Sequence, residues 1–97
     1  MRYRRPFDSR QRAAAVRAHQ QYRWNLKELR ERFPAGNERE RVLLRAYRES
    51  VQDFARELLL PDDRLDPQRL TELERHATNA GLRYIVTRSA RTGFGHD

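Results

Sequence analysis

Apolar residues return every three or four positions along three stretches of this chain, and that spacing predicts three amphipathic helices. In the first stretch Ala15, Ala18, Tyr22, Leu26, Leu29 and Phe33 step by 3, 4, 4, 3 and 4. The opposite face carries Arg10, Arg17, Lys27, Glu28 and Glu31. Asp8 or Ser9 suits the N-cap, and Pro34 with Gly36 ends the helix. In the second stretch Leu44, Tyr47, Val51, Phe54 and Leu58 step by 3, 4, 3 and 4. Asn37 caps it, Glu38 and Glu40 place acids where the helix dipole favours them, and Pro61 closes it. The acidic loop Pro61-Asp62-Asp63-Arg64 follows.

Asp66-Pro67 opens the third helix, a capping side chain followed by proline at the first helical position. Leu70, Leu73, Ala77, Ala80 and Tyr84 then step by 3, 4, 3 and 4. Leu82 to Thr87 also has the Tyr, Ile and Val content of a strand. The apolar stripe keeps its phase through Gly81, however, and a lone strand would have no partner to pair with. The third helix is therefore expected to continue to about Arg88, with Gly81 costing about 1 kcal/mol relative to alanine. Residues 89–97, with Gly93 and Gly95, are expected to be disordered or ordered by a partner. The fold class is all-α: an antiparallel three-helix bundle in one domain. Its helices fall at about residues 9–33, 37–60 and 67–88, with arms at 1–8 and 89–97.

Charge changes the picture, because it is localised. Residues 1–33 hold ten Arg and Lys against three Asp and Glu, whereas residues 34–65 hold six against seven and residues 66–97 five against four. The net charge of +7 thus belongs to the first third of the chain, which favours a basic docking helix for an acidic partner over a uniformly sticky surface. Arg outnumbers Lys twenty to one, and Arg suits bidentate recognition of carboxylate or phosphate. With 97 residues, 36% of them charged and 37% hydrophobic, there is room for one modest core under wide solvated faces. No apolar run approaches the roughly 20 residues of a membrane span. With no cysteine, this sequence offers no disulfide, thiolate nucleophile or Cys-ligated metal. Residues Met1 to Phe7 are basic and fit either a basic arm or the end of an organellar targeting region.

The stripes are uneven in size. Ala15 and Ala18 of the first helix and Ala77, Ala80 and Gly81 of the third are small, while the second helix brings larger side chains. Small residues allow close helix approach, or they leave a groove for a slender apolar ligand, and spacing alone supports both.

The order of these features resembles the LYR-motif (complex I LYR-like) family of small mitochondrial proteins. A basic first helix carries Tyr22-Arg23 followed by Leu26, Leu29, Arg30 and Phe33-Pro34; the second carries Phe54 and Arg56; Asp66-Pro67 opens the third. The likeness covers about residues 15–88. The triplet reads Gln21-Tyr22-Arg23 in place of Leu-Tyr-Arg, and Phe54-Ala55-Arg56 replaces an adjacent Phe-Arg. The resemblance implies a non-catalytic, matrix-side mitochondrial adaptor that docks an acidic acyl carrier protein onto a respiratory-chain complex, as accessory subunit or assembly factor. It implies no directly bound cofactor; acyl-phosphopantetheine would be presented by the carrier. Carried over, Tyr22 and Arg23 belong to the docking motif and Phe54 lines an acyl tunnel. Arg17, Lys27 and Arg30 join the docking set as basic neighbours on the first helix, and Ala18, Ala77 and Ala80 join the tunnel as small stripe residues. Arg–carboxylate contacts at such a face would be charge-assisted and salt-sensitive.

The rest of the chemistry-bearing residues have plainer readings. Tyr22 and Phe54 serve the core equally well, and Arg23 would lay its stem over that core in any role. Trp24, next to the stripe, is expected to be half-buried and is a candidate contact anchor. His19, His76 and His96 lack metal-like pairing and are expected at the surface. No catalytic set emerges from Ser9, Ser50, Ser89 or the carboxylates, so an enzyme is not expected. A purely structural subunit filling a groove in a larger assembly also fits. The rival class is RNA binding or ribosome association, supported by a pI near 10.9, the Arg-rich helix with Tyr22 and Trp24, and Arg88 and Arg91 near the end.

Overall fold

A computed structural model describes residues 9–93, which form a three-helix bundle of α1 (Ser9–Arg32), α2 (Glu38–Leu58) and α3 (Pro67–Thr92). No strand occurs among the described residues. The arm at 1–8, the alternative cap Asp8, His96 and residues 94–97 lie outside them.

The helix ends follow from the expected capping residues. The Asn37 side chain accepts the Glu40 backbone N–H at 2.8 Å, and the Asp66 side chain accepts that of Gln68 at 3.0 Å with Pro67 behind it. Each satisfies one of the donors a helix start leaves unpaired. Helix α2 stops two residues short of the expected Leu60, because Leu59 already forms its C-cap. The third helix departs further from expectation. Residues 89–92, read from sequence as part of an arm disordered or ordered by a partner, complete α3, and Gly93 ends it in the left-handed conformation at φ 93°. Ser89 to Thr92 contain no helix breaker, so the stop falls on the glycine.

Each stripe turns inward. Ala15, Tyr22, Leu26 and Leu29 of α1 meet Tyr47, Val51, Phe54 and Leu58 of α2 and Leu70, Leu73, Ala77 and Tyr84 of α3. Leu65 joins them from the connection before α3, where a turn bonds its N–H to the Pro61 carbonyl at 2.9 Å. Helices α2 and α3 are the more closely packed pair. Their contact depends on Gly81, where an added Cβ would lie 3.2 Å from the Tyr47 ring, so the missing side chain is the space that ring fills. Helix α1 is joined to α3 largely through tyrosines. The Tyr22 hydroxyl lies 3.2 Å from Thr78 Oγ1 and donates to the Glu74 carbonyl at 3.3 Å, and Tyr84 donates to the Phe33 carbonyl at 2.6 Å.

Four residues depart from their expected positions. Phe33, the last residue of the α1 stripe, is exposed because the chain leaves the helix there; the Arg88 guanidinium sits 5.4 Å from its ring centroid. Ala18 and Ala80 border the core as partly buried residues. His19, expected at the surface, is half-buried and stacks on Phe54 at 6.4 Å between centroids, while Tyr22 meets the same ring edge-on at 5.7 Å.

Two substitutions test this packing by urea unfolding. Gly81→Leu forces Tyr47 out of its place and is expected to destabilise by about 1–3 kcal/mol. Tyr84→Phe leaves the Phe33 carbonyl without its donor and is expected to cost about 1 kcal/mol with helicity unchanged.

Candidate functional site

The outward face of α1 is determined by what its inward face must bury. Tyr22, Leu26 and Leu29 occupy the core, so residues on the far side of the same turns project into solvent. Arg23, Lys27 and Arg30, spaced by 4 and 3, are all exposed and line one shallow groove of about 540 Å³ together with Gln20, Trp24 and Glu31. Among the described residues no ion pair occupies Arg23, Lys27 or Arg30. Their charges are therefore available to a partner. Trp24 is 56% exposed in place of the half-burial expected, since two residues beyond Tyr22 a helix has turned past the core. With Val16 and Gln20 it forms a partly apolar line at four-residue spacing down the middle of a cationic surface.

The structure therefore brings together three of the five candidate docking residues. Arg17 is exposed on α1 but outside that groove. Tyr22 points the other way, into the core, where burial raises its pKa and the hydrogen bond with Thr78 partly offsets the rise. His19 lies between the two faces; burial lowers its pKa, and the Arg23 charge lowers it further.

The four tunnel candidates are distributed over the bundle. Phe54 is 1% exposed and borders a groove of about 220 Å³ beside Ala14, Ala15 and Leu70. Ala77 opens onto one of about 420 Å³ between α1 and α3, with Tyr22, Tyr47 and Gly81. Ala80 faces a third, of about 330 Å³, between α2 and α3 with Leu43, Ser50 and His76. Ala18 packs at the edge of the core. Among the described residues no group of three or more potential metal ligands gathers, and no helix is long and apolar enough to cross a membrane.

One pairing that sequence reasoning missed fixes the end of the bundle nearest Arg30. Glu40 is the third residue of α2 and fully buried, and its carboxylate collects four donors. Gly36 N–H reaches Oε1 at 2.8 Å, Arg91 Nη2 reaches Oε1 at 2.9 Å, Asn37 Nδ2 reaches Oε2 at 3.3 Å, and Arg91 Nε also bonds Oε2. A Cβ at Gly36 would collide with that guanidinium. The Arg91 hydrogen bonds hold the Glu40 pKa at about 2, against the opposing effect of burial and with further help from the Gly36 N–H. The Asn37-x-x-Glu40 spacing of a capping box was the available signal. Nothing local in the sequence pointed to Arg91, 51 positions away.

No protein-family model matches this chain, and neither a curated protein nor a solved structure is significantly similar to it.

Because the folded-state pKa of Glu40 lies below its ordinary value of 4.5, the stabilisation it provides is complete above about pH 4.5. It is lost as the pH falls from there through about 2. Thermal melts across that window are expected to show a steep decline for the parent. Glu40→Gln starts from a lower melting temperature at neutral pH and declines less, since it has no such carboxylate to protonate.

Proposed function

We propose that the protein is a non-catalytic adaptor of the LYR-like kind, which docks an acidic, acylated carrier protein and attaches it to a respiratory-chain assembly on the matrix side of the mitochondrial membrane. The observation that carries this reading is the face of α1. Three cations with no ion-pair partner among the described residues share a groove with an exposed tryptophan, on a helix whose other side is committed to the core. Charge-assisted, bidentate contacts from Arg23 and Arg30 to carboxylates would supply affinity and orientation, and Trp24 would supply apolar contact area. The Tyr22-Arg23 dipeptide of the family resemblance straddles the two faces. In this reading Tyr22 anchors α1 internally through Thr78 and Glu74, and Arg23 meets the partner.

Native mass spectrometry of the tagged protein isolated from its source tests the proposal. A partner of acyl-carrier size bearing phosphopantetheine and a fatty-acyl mass is expected. Arg23→Ala with Arg30→Ala is expected to reduce its recovery about tenfold or more, as removal of two interface hot spots does. Recovery with RNA or ribosomal proteins alone would overturn the reading and turn α1 into a phosphate-binding surface.

A further inference from the structure

Helix α2 carries its own exposed cations, and the register of the bundle determines where they fall. Arg12 of α1 bonds the Leu58 carbonyl of α2, and His19 stacks on Phe54, so residue numbers fall along α2 as they rise along α1. Extending that register places Arg48 level with Arg23, Arg45 level with Lys27, and Arg41 level with Arg30. The flank of α2 is settled by the groove on its other side. Leu43, Ala46 and Ser50 face α3, so the opposite flank, carrying Arg41, Arg45 and Arg48, lies on the α1 side. Arg41 is paired with Glu38, whereas no ion pair among the described residues occupies Arg45 or Arg48, and both are exposed.

We infer that the docking surface is the seam between α1 and α2, with Arg45 and Arg48 acting together with Arg23, Lys27 and Arg30 on a row of carboxylates along one helix of an acidic protein partner. This rests on the adaptor reading and specifies the surface it uses. Arg23 to Arg30 spans about 10 Å at 1.5 Å per residue, so five cations crowd within two helical turns. At that spacing, close to the Debye length of about 8 Å, their mutual repulsion is only partly screened. The patch is also bounded. Glu31 shares its groove on α1, and Glu49 follows Arg48 on α2. Acids at the border and the exposed Trp24 among the α1 cations suit a partner with localised carboxylates. A continuous phosphate backbone calls for an uninterrupted cationic track.

Trp24 is the sole tryptophan and shares the α1 groove with Arg23, Lys27 and Arg30, so its fluorescence reports docking directly. The test titrates the full-length chain with purified acylated acyl carrier protein, and separately with a single-stranded RNA of about 16 nucleotides. Four variants are compared: Arg45→Glu/Arg48→Glu, the milder Arg45→Gln/Arg48→Gln, Arg23→Glu/Arg30→Glu, and Arg75→Glu on α3 as a single charge-reversal control. Circular dichroism checks that each retains its helicity. The expected result is a loss of tenfold or more in carrier affinity for both charge-reversed pairs, a smaller loss for the glutamine pair, and no change for Arg75→Glu. If the α2 variants bind the carrier as the parent does while Arg23→Glu/Arg30→Glu fails, the seam is overturned and the adaptor reading stands. If the parent does not bind the carrier, or binds RNA with a graded loss at every removed charge including Arg75, both are overturned.

Discussion

A single buried carboxylate ties together the turn after α1, the start of α2 and the last turn of α3. Glu40 accepts from Gly36, Asn37 and Arg91 at once, and a charged group with no exposed surface is tolerable only when so many donors surround it. Its consequences extend beyond the pair. By holding Arg91, it anchors the last turn of α3, which runs four residues past the expected end at Arg88, and brings Arg88 and Tyr84 alongside the end of α1. There they bond the Pro34 and Phe33 carbonyls, two acceptors that the ending helix would otherwise leave to solvent. The C-terminal half of α1 is thereby pinned to α3. Its outward residues, Lys27 and Arg30 among them, are presented at a fixed angle even though α1 packs less closely than its two partners.

That loose packing has its own cause. Helices α2 and α3 approach closely because Gly81 and Ala77 yield space to Tyr47 and its neighbours, whereas α1 meets α3 through the long side chains of Tyr22 and Tyr84. A helix joined through tyrosine hydroxyls stands off, and the groove of about 420 Å³ between α1 and α3 follows from that separation. The small residues that spacing alone could assign either to close approach or to a ligand groove thus do both. At Gly81 the missing side chain admits a ring, and Ala77 beside it forms part of a groove wall.

The sequence made the helices legible because each must bury one face, and a buried face writes itself as a period. The starts at Asn37 and Asp66-Pro67 were equally readable, since a capping side chain acts on backbone two or three residues away. Legibility ended where a partner lay far along the chain. Glu40 had the spacing of a capping residue, but its charge is answered by Arg91, which a reading from local pattern assigned to an arm disordered or ordered by a partner. His19 was misread for the same reason: whether a residue at the edge of a stripe is covered depends on what the neighbouring helix brings, here Phe54. Of the candidate docking face, Lys27 and Arg30 followed from the charge along the first helix, whereas Arg23 came from the family resemblance. Trp24 was a candidate contact anchor from the start, but its exposure was not legible, because its position beside the apolar stripe left open how far the helix turns it from the core.

The same charges act in opposite senses on folding and on docking. Arg23, Lys27 and Arg30 are like charges at four- and three-residue spacing, an arrangement that weakens an isolated helix by a few tenths of a kcal/mol per pair. Only near the C-terminus does the helix dipole favour them, which helps Arg30 and Arg32 but not Arg23. The helix is thus held together by Tyr22, Leu26 and Leu29 against the repulsion on its own outer face. Added salt screens that repulsion and strengthens the free protein, and the identical screening weakens attraction to an acidic partner. An anionic surface laid across the face does locally what salt does diffusely, relieving the repulsion while using the charge for recognition. A cationic face without ion-pair partners among the described residues is thus a cost to the free bundle that an acidic partner removes.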